Sequence, residues 1–215
     1  MSPEGATNGT ILQRATRAAS RLRFTLLFLA AMLVANIATG SIGDDLPHEM
    51  LEAWGIGHDA LISGDAFRLM TGTFLSHDPD MLLRQFVFAG AVIGYTEWRR
   101  GSLRAAALFF GLDLVGTLLL LASIGGSAGL GHLAALNDVG MSIGGFGLIG
   151  LAIAGWPRRW LVLGLVVCAI GAKYGLAADP LADLGHILAL GLGFAFGSVA
   201  QVGQRNKSSE ARHAR

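Results

Sequence analysis

Ser142 and His186 are the two residues of this chain whose types and places could do chemistry together. Ser142 sits in "DVGMSIGGFGLIG" (138–150), within a glycine-rich apolar stretch that carries no charge between Asp138 and Arg158. Counted back from Arg158 at ~1.5 Å per residue, its hydroxyl lies ~24 Å from the basic boundary that follows it. His186 opens another apolar run, and the same count from Gln201 and Arg205 puts it ~22 to ~28 Å from that boundary. Two helices running in one direction thus carry a hydroxyl and an imidazole at a shared depth. A serine hydroxyl is a weak nucleophile until a base within hydrogen-bond reach takes its proton, and neutral histidine is the usual base. An ionisable group within a span is costly, so a functional reading is the default for His186, with interhelical hydrogen bonding as the alternative, whereas Ser142 alone would be read as small-residue packing. Gly140, Gly144 and Gly145 remove side chains around Ser142 and are expected to leave room for a substrate backbone. No carboxylate is placed in sequence to orient His186, which implies a dyad. Asp183, one turn earlier, reads as a cap of the last helix at the outer surface.

The elements that must hold this pair are membrane helices. Of 215 residues, 53% are hydrophobic and 14% charged, and the mean hydropathy is +0.55, far from an ordinary soluble domain. A helix needs about 20 apolar residues to cross a ~30 Å hydrocarbon core. Six runs approach this: 24–43, 81–96, 105–124, 139–157, 160–176 and 184–204, the second interrupted by Arg84 and the fifth by Lys173. All of the 16 basic residues except Arg68, Arg84 and Lys173 fall before the first run, between the second and third, between the fourth and fifth, or after the sixth. Basic residues on alternate connections predict an all-α bundle of six spans with both termini in the cytoplasm. Trp98, Trp156 and Trp160 lie beside the basic clusters, as an inner aromatic belt requires. The organisation expected is a tail over 1–20, a membrane domain over 21–204 and a tail over 205–215, both tails cytoplasmic.

Four arginines before an apolar run ending near "ANIATG" also have the form of a signal peptide. The run is long enough to span and is read as a retained helix. The connection 44–80, rich in carboxylates on the outside, is either an element lying in the interface or a solvated linker. Net charge is +1 and no basic stretch is interleaved with aromatics, so nucleic acid is not an expected partner. The single cysteine, Cys168, reads as apolar core filler. Histidines 48, 58, 77 and 132 have no metal-ligand spacing, and neither metal nor cofactor is implied.

Asp113 falls mid-way along the third run, the costliest place for a carboxylate, and is expected either to bond a neighbouring backbone or hydroxyl group or to serve a proton or ion path. Arg84 reads as snorkelling to the interface. Ala189, Gly193 and Gly197, four apart in "ALGLGFAFG", predict close helix packing.

In order and placement these features resemble the rhomboid family of intramembrane serine proteases. The Gly-x-Ser at the start of that family's fourth span is matched by Gly140, Met141 and Ser142. Its histidine setting in the sixth span is matched by "GHILA", with Gly185, His186 and Ala189. "AFRLMTGTFL" is similar to the family's Trp-Arg-x-x-Thr-x-x-Phe segment through Arg68, Thr71 and Phe74, with Phe67 in place of Trp. "EWRRGS" is similar to its Glu-x-Arg-x-Gly-Ser through Glu97, Arg99, Gly101 and Ser102. The likeness covers about residues 24–200 and is greatest to a divergent bacterial rhomboid-like branch.

The resemblance implies that Ser142 is the nucleophile and His186 the general base of a protease acting on transmembrane substrates. It also implies where oxyanion donors would come from. The family's His-x-x-x-Asn pair in the second span falls here on Met81 and Gln85, so the histidine is replaced by a side chain with no donor, while Gln85 keeps an amide. Gln85 and the N–H of Ser142, beside Gly140, are the expected donors. Two other readings stand: a rhomboid-like protein that binds transmembrane partners without cutting them, and a small transporter or channel using Asp113 and Arg84.

Overall fold

All six apolar runs fold as helices, but of unequal length. The computed structural model describes residues 20–213, so the expected N-terminal tail lies almost wholly outside the described residues. The elements are α1 (Arg23–Thr39), α2 (His48–Trp54), β1 (Ile56–Gly57), α3 (His58–Ile62), α4 (Arg68–Thr71), α5 (Pro79–Arg100), α6 (Ser102–Gly126), β2 (Asn137–Asp138), α7 (Ser142–Ile153), α8 (Arg159–Leu176) and α9 (Pro180–His213). Short 3-10 turns occupy Gly72–Phe74 and Ala128–Leu133. Helix α9 continues through the segment expected as a tail, to His213.

Among the described residues three helices are long and apolar enough to cross a membrane: Ser102–Gly126, Arg159–Leu176 and the Pro180–Val202 part of α9. Helix α1 has 17 residues. Helix α5 has 22 but carries charges near both ends, where Asp80 and the Arg99, Arg100 pair suit the helix dipole. The run 139–157 forms a helix only over the 12 residues of α7, roughly 18 Å of rise. Its first three residues are instead buried extended and turn backbone. Val139, Gly140 and Met141 are all buried, where backbone polar groups need partners within the protein.

Helix α7 is therefore a central post, packed on α6 and most closely on α9. Cβ atoms at Gly193 and Gly150 would collide with the carbonyl oxygens of Gly147 and Leu190 respectively, so the two backbones touch where they cross. This is the close packing expected from the spacing of Ala189, Gly193 and Gly197. On the other side an aromatic cluster of Phe28, Phe74, Phe109 and Phe110 joins α1 to α6. Helix α8 is the outlier, with Ile170 its one buried residue. Cys168 is exposed on it and fills no core.

Glu97 fastens the opposite end of the bundle. Its carboxylate accepts from the N–H groups of Phe24 and Thr25 at 2.8 Å, the Thr25 hydroxyl at 2.6 Å and the Ser102 hydroxyl at 2.5 Å. It thus satisfies otherwise orphaned donors at the start of α1 and ties α1 and α6 to α5. Gly101, at φ +82°, makes the turn between α5 and α6 that this requires. Glu97, Gly101 and Ser102 of "EWRRGS" thus form a structural clamp.

The connection 44–80 is an ordered element and not a linker. Arg68 bonds Asp65 at 2.7 Å and the Glu52 carbonyl, and Thr71 donates to the Trp54 carbonyl at 3.0 Å, which satisfies the C-terminal end of α2. Gly140 N–H donates to the Gly72 carbonyl at 2.8 Å. Ile56 and Gly57 pair antiparallel with Asp138 and Asn137. This connection thereby holds the strand that leads into Ser142.

Candidate functional site

Ser142 is the first residue of α7 and His186 lies in the second turn of α9. Because these helices cross in backbone contact, the side chains meet: Ser142 Oγ and His186 Nε2 are 2.8 Å apart. The expected distance of hydrogen-bond reach is met without any rearrangement. The ring of Phe146, one turn beyond Ser142, stacks on the imidazole with centroids 4.3 Å apart and 25° between planes. The imidazole is thus fixed in both position and tilt.

The sequence offers no good cap for α7, since Met141 at its N-cap makes no side-chain capping hydrogen bond. Asp113 supplies one from α6: Oδ1 accepts the Gly144 N–H at 2.8 Å and Oδ2 accepts the Thr73 hydroxyl at 2.9 Å. The mid-helix carboxylate is therefore bonded as one of its two expected alternatives required, and acts as an N-cap from 31 residues away. Ser142 and Ile143, ahead of Gly144, keep N–H groups without intrahelical acceptors. Gly144 and Gly145 do not open space for a substrate, contrary to expectation. Cβ atoms there would strike Phe109 and Phe88, so these glycines let α6 and α5 approach the post.

Gln85 is buried on α5. Its Oε1 accepts from the Ser76 hydroxyl at 3.2 Å, which turns Nε2 the other way. That nitrogen is buried without a hydrogen-bond partner among the described residues and packs where a Cβ on Gly140 would be. Gly140 has φ +128°, a conformation that L side chains avoid, so both backbone and space require glycine there. Met81 also reaches Gly140 with its methyl group, and its sulfur accepts the His77 N–H at 3.4 Å. Met81 contributes shape and no donor.

Asp183 stands in the first turn of α9, as expected of a cap, but it is buried and not at the surface. It is 4% exposed, with Oδ2 bonded to Lys173 Nζ at 3.0 Å and to the Asp179 N–H at 3.1 Å. Asp179 is the N-cap side chain of α9, accepting from Ala182 N–H at 3.1 Å. Capping is thus only part of what Asp183 does, and it is buried because α8 brings Lys173 over it. Among the described residues Asp183 Oδ1 has no hydrogen-bond partner.

An open apolar groove of about 400 Å³ leads from the side of α8 to His186, walled by Phe146, Val166, Ile170 and Lys173. A smaller cavity of about 20 Å³ touches Ser142, Gly140 and Thr117, room for about one water. A polar cleft of about 160 Å³ at the far end, beside Arg99, Arg100 and Gln201, contains neither Ser142 nor His186.

In the connections beside Ser142, His77 Nε2 and Asp138 Oδ1 are 3.0 Å apart. The hydrogen bond to Asp138 raises the His77 pKa above its ordinary value, against the opposing effect of burial. Arg84 is exposed on α5. No protein-family model matches the chain, and no curated protein matches it.

Proposed function

We propose that the chain is a rhomboid-like intramembrane serine protease of six spans, with both termini in the cytoplasm, that cuts transmembrane substrates in the outer half of the bilayer. The observation that carries this reading is the 2.8 Å contact between Ser142 Oγ and His186 Nε2 at the N-terminus of a buried helix. Ser142 attacks a substrate carbonyl while its proton passes to His186 Nε2. The oxyanion develops beside the Ser142 N–H and the unpartnered Gln85 Nε2, donors worth about 10² to 10³ in rate each. His186 then gives the proton to the leaving amine, and a water, for which the cavity beside Ser142 has room, releases the acyl group. The residues present call for no metal or cofactor.

A substrate helix hides its carbonyls in its own hydrogen bonds, so the segment cut must be weakened by glycine or other poor helix formers. The groove along the loosely held α8 is the route that needs least displacement of buried side chains. The short α7 suits this topology because its buried N-terminal end places the serine within the bundle. A reporter fused after Arg205 reads cytoplasmic on this account.

The second reading, a non-proteolytic binder of transmembrane partners, draws on Met81, an apolar side chain where the resemblance has a donor. The test is reconstitution in lipid with a panel of transmembrane substrates. Cleavage by the parent and none by Ser142→Ala supports the protease; equal products from both, or none from either across the panel, favours the binder.

A further inference from the structure

We infer that Asp183 is a positioning residue for His186, completing a Ser142–His186–Asp183 relay in which the carboxylate fixes the tautomer of the imidazole. The inference rests on the proposed protease reading for its consequence in turnover, but its structural content, the tautomer, can be measured separately.

The orientation of the ring comes first. His186 turns Nε2 to Ser142 at 2.8 Å, so Nδ1 faces along α9 toward Asp183, whose Oδ1 is 3.9 Å away. Nε2 can accept the serine proton only if Nδ1 holds the single proton of the neutral ring. Of the charged groups around His186, which are Asp183, Asp138, Asp179 and Lys173, Asp183 alone is within ion-pair distance. Phe146 covers a face of the ring and offers no acceptor.

The two oxygens of Asp183 divide the work. Lys173 and the Asp179 N–H hold Oδ2, while Oδ1 is buried with no partner. A buried carboxylate oxygen left unsatisfied is costly, and His186 Nδ1 lies 3.9 Å from it. The 3.9 Å gap exceeds a hydrogen bond, and such contacts commonly tighten once the reacting complex forms. Through the reaction the serine proton moves to Nε2 and on to the leaving amine, the O–C bond forms, and the C–N bond breaks. Asp183 gains and loses no proton; it faces the imidazolium while that charge exists.

Asp183→Asn makes a sharp test because both neighbours of Oδ2 are donors. They take the amide oxygen, which leaves the NH2 group facing Nδ1. Nδ1 must then accept, the proton shifts to Nε2, and the base is lost. The experiment combines steady-state cleavage with ¹⁵N solid-state NMR of histidine-labelled protein in lipid. The expected result is Nδ1 protonated in the parent, Nε2 protonated in Asp183→Asn, and kcat lower by about 10³- to 10⁴-fold with KM within about twofold. An Nε2–H tautomer in the parent overturns the inference without any variant having to fold. Parental kcat in a folded Asp183→Asn protein also overturns it, as does a kcat loss matched by a rise in KM. A parent that cleaves nothing contradicts the protease reading alone, and the tautomer still decides on Asp183.

Discussion

Asp113 and Gly144 are joined by a 2.8 Å hydrogen bond from the backbone of α7 to a carboxylate in the middle of α6. The bond sets the height of the helix that starts with Ser142, because it takes the place of the local cap that Met141 does not provide. Asp113→Ala is expected to destabilise the protein by about 1–3 kcal/mol, through the lost cap and a buried N–H left unsatisfied. Asp113→Asn keeps an acceptor for Gly144 and an amide that can donate to Thr73, and retains most of the stability. Unfolding in detergent micelles checks this, and equal stability of parent and Asp113→Ala contradicts it.

Gln85→Leu removes a buried donor without an acceptor and keeps a similar volume. Only the 3.2 Å bond from Ser76 is lost from the resting protein, worth about 1 kcal/mol. The effect is therefore expected in turnover, a fall of about 10² to 10³ with a near-parental melting temperature. Parental kcat in a folded Gln85→Leu protein would move the oxyanion donor elsewhere.

The sign of one pH effect follows from His77. Its pKa is raised by the hydrogen bond to Asp138, so the stabilising contribution is complete below the ordinary imidazole value and fades as pH rises through the raised one. The pair is partly exposed, at 38% and 29% of the two side chains, and solvent screening keeps its worth below about 1 kcal/mol. Stability should fall slightly from pH 6 to pH 9, and His77→Gln should flatten that slope. An unchanged slope removes the pair from the account.

Ser142 and His186 were legible in the sequence because both depend only on counting along helices of known rise and direction. Gln85 was reached through a motif offset and the amide was buried where that offset put it. The two carboxylates were harder for a physical reason. The partners of Asp113 lie 31 and 40 residues away, and no periodicity records such a distance. Asp183 stands beyond the apolar run and so read as surface; what buries it is Lys173, a charge that looked like an interruption of its own helix. The length of α7 was also hidden, since the residues before Ser142 are as apolar as a helix there would be. Their extended path is imposed by Gly72 and Ile56 across the chain.

The crossing of α7 and α9 offers a paired control. At Gly193 an added methyl group would strike the Gly147 carbonyl, forcing apart the helices that carry Ser142 and His186. Gly193→Ala is expected to cost about 1–3 kcal/mol and most of any activity. At Gly191, two residues away, a Cβ meets nothing within 4 Å, and Ala there should match or exceed the parent by up to about 1 kcal/mol. Equal behaviour of the two variants would mean that the crossing is looser than described.

The central claim, that His186 activates Ser142 as a nucleophile, can be measured without knowing a substrate. A fluorophosphonate reacts with an activated serine as the oxygen–phosphorus bond forms and fluoride leaves. Mass spectrometry of the lipid-reconstituted protein should find one adduct, on Ser142, absent in Ser142→Ala and formed at least about 10²-fold more slowly in His186→Ala. Failure of the parent to form the Ser142 adduct, or its formation at the same rate in His186→Ala, would contradict the account.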